Sequence, residues 1–118
     1  MLLSDVAKVL DANVFACGDK LYREVVSACG SDLMSDVLAF SDCKEKAVLL
    51  TGLLNQQVIR TAEMMDFKAV IFVRGKTPTE EIREMANERE IVVFNTEHSL
   101  FSACGLLYSN GLKGDIHK

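Results

Sequence analysis

Three stretches of the chain are apolar without interruption: AVLL at 47–50, AVIFV at 69–73 and IVVF at 91–94. They are short and rich in β-branched or aromatic residues, which is the signature of strands buried on both faces. After each comes a polar turn, and after each turn the apolar residues recur at helical spacing: Val58, Ala62 and Met65; Ile82, Met85 and Ala86; Leu100, Cys104, Leu107 and Tyr108. The resulting βαβαβα order, with strands starting about 22 residues apart, predicts right-handed crossovers and a parallel sheet flanked by helices. The fold class expected is therefore α/β, and residues 1–118 are read as a single domain.

Helix starts are predicted by capping chemistry. Thr77, Pro78 and Glu80 read as a T-P-x-E box with proline at the first helical position. Asn55 and Thr96 are expected to cap the other two helices, and Gly111 to end the last one in a left-handed conformation. The first 45 residues are less regular. Leu3, Val6, Ala7 and Leu10 suggest a short amphipathic helix, and NVFAC and YREVVSAC suggest two strands whose join at Gly18 and Asp19 could make a hairpin. A further helix is expected from about Leu33 to Phe40, followed by a polar connector, SDCKEK.

Composition narrows the partners. Seventeen acidic against 13 basic residues give a net charge of -4, which argues against a nucleic-acid surface. No apolar run approaches the ~20 residues of a membrane span, and Asp5 and Asp11 interrupt the opening segment where a signal peptide would be continuous. A cytoplasmic protein is expected. Cys17, Cys29, Cys43 and Cys104 lack CxxC spacing and read as reduced thiols, with a zinc site as the alternative reading; Met34, Met64, Met65 and Met85 read as core filler. The hydrophobic content of 49% in so short a chain predicts apolar side chains left outside one small core, hence a homodimer. Val14, Phe15 and Val25, and Leu100, Phe101, Leu107 and Tyr108, are the candidate contact segments.

No GxSxG, GxxxxGK[ST], HExxH or GxGxxG motif occurs, and His98 and His117 are the sole histidines, so an enzyme is not expected and no catalytic residue, metal site or cofactor is assigned. A parallel sheet brings its strand-to-helix loops to one edge, where open α/β proteins bind ligands. Here those loops begin at Gly30, Thr51, Arg74 and Asn95. Helix N-termini and the two cations of the third loop make this edge competent for an anion. Thr51, Gly52, Asn55, Arg74, Gly75, Lys76 and Thr77 are the candidate ligand-binding residues, for a phosphorylated small molecule or a nucleotide. Each also has a plainer role open to it: Gly52 and Gly75 as turn residues, Asn55 and Thr77 as caps, Arg74 and Lys76 as solvated charges. Asp32 and Asp36, four apart on the expected helix, could hold a divalent cation or simply face solvent.

The stretch LLTGLLNQQVIRTAEMMDFKAVIFVRGKTPTEEI, the segment GSDLMSDVLAF and the ending FSACGLLYSNGLKG together resemble the DRTGG domain family in its short stand-alone form. LLTGLLN stands where many members carry a GDR-type loop, and FVRGK where they carry a TGG. Domains of this family are accessory modules beside CBS domains in certain pyrophosphatases and in long phosphotransacetylases, and they resemble the non-catalytic N-terminal domain of HPr kinase/phosphorylase. The resemblance thus implies a regulatory or ligand-sensing module, with a structural dimerisation or adaptor domain, contacting another protein, as the alternative.

Overall fold

The uninterrupted apolar runs become the middle of a five-stranded sheet in the computed structural model, which describes residues 1–40 and 46–114. Strands β3 (Ala47–Thr51), β4 (Ala69–Phe72) and β5 (Val92–Asn95) pair in parallel and are buried at every position. Strand β1 (Asn13–Ala16) lies antiparallel against β5 at one edge, and β2 (Ser27–Gly30) lies parallel to β3 at the other, giving the order β1-β5-β4-β3-β2. The α/β class and the mostly parallel sheet are as expected.

Successive side chains on each strand point to opposite faces, and both faces are covered. Leu49, Val70, Phe72 and Val93 meet α2 (Met34–Phe40), α3 (Gln56–Met64) and α4 (Glu80–Glu88) in one core. Val48, Leu50, Ile71 and Phe94 meet α1 (Leu3–Leu10) and α5 (Leu100–Ser109) in the other. The three helical periodicities read from sequence place Val58, Ala62, Ile82, Ala86 and Leu107 in these cores.

The expected hairpin does not form. Cys17 adopts a left-handed conformation (φ 54°) and Gly18–Lys20 make one 3₁₀ turn, after which the chain crosses to the far edge of the sheet. The turn signal was real, but strand pairing is a non-local choice: β1 fits beside β5 with a register shift between Val14 and Ala16, while Val25 is buried in the opposite core and leads into β2. Two caps also differ. Thr79, not Thr77, caps α4 by accepting a hydrogen bond from the Ile82 amide at 3.2 Å, which leaves Pro78 buried ahead of the helix. Ser99, not Thr96, caps α5, accepting from the Ser102 amide at 3.2 Å. Asn55 caps α3 as expected, and Gly111 follows α5 at φ 113°. Of the four methionines read as core filler, Met34 is buried and Met65 and Met85 pack against the core, but Met64 is 67% exposed because it faces outward at the end of α3. Cys43 and His117 lie outside the described residues.

Candidate functional site

The four strand-to-helix loops meet at one edge of the sheet and are stitched to one another. Asp32, just ahead of α2, accepts from the Gly52 amide at 2.6 Å and from the Thr51 hydroxyl at 3.2 Å. The Thr51 oxygen in turn accepts from the Leu53 amide at 3.1 Å, so the β3–α3 loop is held from both sides. Lys76 donates its ammonium to the Gly52 carbonyl. The backbone amides of Arg74 and Gly75 donate to His98 (2.8 Å) and Thr96 (2.7 Å), tying the third loop to the fourth.

The turn at Arg74 and Gly75 is left-handed at both residues, with φ of 61° and 69°. Only glycine adopts this region without steric cost, so Gly75 is required there and Arg74 is held there by the surrounding bonds. A Cβ on Gly75 would also meet the Glu97 carboxylate at 2.8 Å. Behind the turn, buried Asn95 donates to the Lys76 carbonyl at 3.2 Å and accepts from Asn13 at 3.0 Å, so β1 supports the loop through β5. Buried Thr96 donates to the Leu10 carbonyl at 2.7 Å, fixing the end of α1 to the same loop.

The seven residues singled out from sequence therefore divide into a frame and a surface. Thr51 and Gly52 are buried, and Asn55 spends its carbonyl oxygen on the Val58 amide at 3.2 Å. Lys76 is half-buried and committed to Gly52. Thr77 is exposed and caps nothing. Arg74 is exposed, and among the described residues it makes no ion pair; its guanidinium lies over Gly52, 2.7 Å from where a Cβ would sit. Gly52 thus leaves the space that this side chain occupies. Asp32 and Asp36, for which the spacing leaves open a shared cation or a solvent-facing role, are both exposed, and Asp32 stands before α2 rather than on it and serves as the loop staple. Asn95 is visible in the sequence as the start of the fourth loop, but nothing there marks it as the support of the third.

The cysteines take no part in the hydrogen bonds that join these loops. Among the described residues Cys17 and Cys104 are free thiols. Burial pushes the thiols of Cys17 and Cys104 above the ordinary thiol range, so both stay protonated at neutral pH, as inert core cysteines do.

No family model matches the chain, and no curated protein does. It is similar in structure to the CBS and DRTGG domains of the regulatory region of Clostridium perfringens pyrophosphatase, a crystal structure in complex with the activator diadenosine tetraphosphate. The two superpose with a TM-score of 0.72 over 98% of this chain and 51% of that one, at 18% identity. The fold is DRTGG-like. This chain spans about half the length of that neighbour. Among the described residues no helix is long and apolar enough to cross a membrane.

Proposed function

We propose that this DRTGG-like chain is a non-catalytic regulatory module that binds a phosphorylated small molecule, nucleotides included, at its strand-to-helix edge. The observation that carries this reading is the state of Arg74: an exposed guanidinium without an ionic partner among the described residues, set on a conformationally fixed turn beside the loop that opens α3. A guanidinium is suited to paired hydrogen bonds with a phosphate, and the N-terminus of α3 adds partial positive charge next to it. Lys76, Asp32 and Asn95 hold the loops in place rather than reach for the ligand. The neighbouring fold belongs to a regulatory region crystallised with a nucleotide activator, which supports the same class of role.

The test is a thermal-shift comparison with acetyl phosphate and AMP. A ligand that binds the native state at a hundred times its Kd adds about 2.7 kcal/mol to stability. The expected result is a rise in Tm that is lost in Arg74→Gln; a rise that survives that substitution would place the site elsewhere.

A second reading rests on a different observation. Phe101 is 89% exposed and Tyr108 69%, and they lie seven residues apart on one face of α5. This supports pairing of two copies through α5, either alongside ligand binding or as the module's whole purpose.

A further inference from the structure

The opposite edge of the sheet, where the parallel strands begin, holds a hollow of about 570 Å³. This is within the ~300–1,000 Å³ usual for small-molecule sites. Basic side chains reach it from separate parts of the chain: Arg23 from the segment before β2, Lys46 just ahead of β3, Lys68 at the head of β4, and Arg89 at the end of α4. Each has an acidic neighbour. Arg23 lies 3.8 Å from Glu90, Lys68 3.5 Å from Asp66, and Arg89 2.8 Å from Glu63.

The two signs of charge are not equally placed. Arg23, Lys68 and Arg89 are 20–32% exposed, whereas their acidic partners are 55–79% exposed; in the fourth pair Lys46 (51%) and Glu24 (57%) are exposed alike. Three of the four cations are thus more sheltered than the carboxylates paired with them. Helices α3 and α4 end at this edge, and their terminal carbonyls attract positive charge; Arg23 donates to the carbonyl of Glu90, two residues beyond α4. That attraction explains why one cation comes here, but not why three are sheltered around a cavity. Tyr22 lines the same hollow with 69% of its surface exposed, and Phe67 and Ile91 are its buried apolar floor.

We propose that this hollow is a second ligand site, separate from the loop edge, for a polyanion that carries a planar ring: a compound of the nucleoside polyphosphate class. Phosphate oxygens replace the carboxylates on Arg23, Lys68 and Arg89. The exchange keeps each cation paired with an oxygen anion, so the ionic contact is replaced rather than lost. The ring stacks on Tyr22, a contact that tolerates any flat π-face.

Amide chemical-shift mapping with ATP tests this in two backgrounds, the unaltered chain and Arg74→Gln, which silences the loop edge. The expected result is saturable shifts at Tyr22, Phe67, Lys68 and Arg89 in both. Lys68→Gln and Arg89→Gln, each checked for an intact spectrum without ligand, should weaken binding by about tenfold. Inorganic tripolyphosphate should bind more weakly than ATP, and Tyr22→Ala should remove the difference. Shifts confined to Gly52–Gln57 and Arg74–Thr77, or none at millimolar ATP, would overturn the second site. Equal affinity for ATP and tripolyphosphate would overturn the ring-bearing class of ligand. These outcomes are separate from those for the loop edge, which is read with acetyl phosphate and AMP.

Discussion

At the level of single residues, two glycines separate packing from function. A Cβ on Gly30 would fall 2.6 Å from the Cys104 sulfur and 3.5 Å from Leu100. Both side chains belong to α5, which cannot yield without repacking, so Gly30→Ala should cost about 1–3 kcal/mol in urea denaturation. A Cβ on Gly52 meets only the far end of Arg74 and, at 3.3 Å, one oxygen of Asp32. Gly52→Ala should therefore lower stability by less than about 1 kcal/mol while displacing the guanidinium and abolishing the response to acetyl phosphate. Equal destabilisation by the two, with ligand response intact, would contradict this division. The buried thiols give a pH dependence. Because burial raises the folded-state pKa of Cys104 and Cys17 above the ordinary value of 9.0, their contribution is complete below about pH 9 and is lost as pH rises through the folded-state value. The urea midpoint should stay level up to about pH 9 and then fall, and the fall should be smaller in Cys104→Ala. An identical fall in that variant would remove the thiol from the explanation.

At the level of elements, the start of α4 distinguishes what the residues signal from what the fold selects. The run Thr77-Pro78-Thr79-Glu80 offers two threonines for one cap. Thr79 takes the role because the preceding residues are needed outside the helix: the Lys76 carbonyl accepts from Asn95, its ammonium reaches Gly52, and Pro78 is buried. Thr79→Ala should cost about 1 kcal/mol in equilibrium unfolding, whereas Thr77→Ala should fall within about 0.5 kcal/mol of the parent. The reverse order would restore Thr77 as the cap. The same contrast runs through the chain. β3, β4 and β5 were legible because a strand buried on both faces must be apolar throughout, and the helices between them because one face of each packs on the sheet. The positions of β1 and β2 were not, since Gly18 and Asp19 announce a turn without naming the strand that will be paired. At the loop edge, Arg74 and Lys76 were visible as charges. Their different roles depend on Asp32, Gly52 and Asn95, which meet them only after the sheet assembles.

At the level of the whole molecule, the exposed face of α5 and the loop edge bear on the two readings of function. Gly105 lies between Phe101 and Tyr108 on that helix, exposed and with open space where a Cβ would be. An exposed glycine inside a helix costs about 1 kcal/mol relative to alanine, so its presence fits a face approached closely by a second copy. Light scattering at micromolar concentration should give twice the 13.0 kDa chain mass, reduced to one chain in Phe101→Ser with Tyr108→Ser. A monomer mass for the unaltered chain would contradict the pairing. A dimer built this way would carry two copies of each ligand edge. The claim that the loop edge is the regulatory ligand site is tested most directly by mapping backbone amide shifts during titration with acetyl phosphate and AMP. Saturable changes centred on Gly52–Gln57 and Arg74–Thr77, absent in Arg74→Gln, are expected; changes that avoid those two loops, or none at millimolar ligand, would rule out the loop edge as the site.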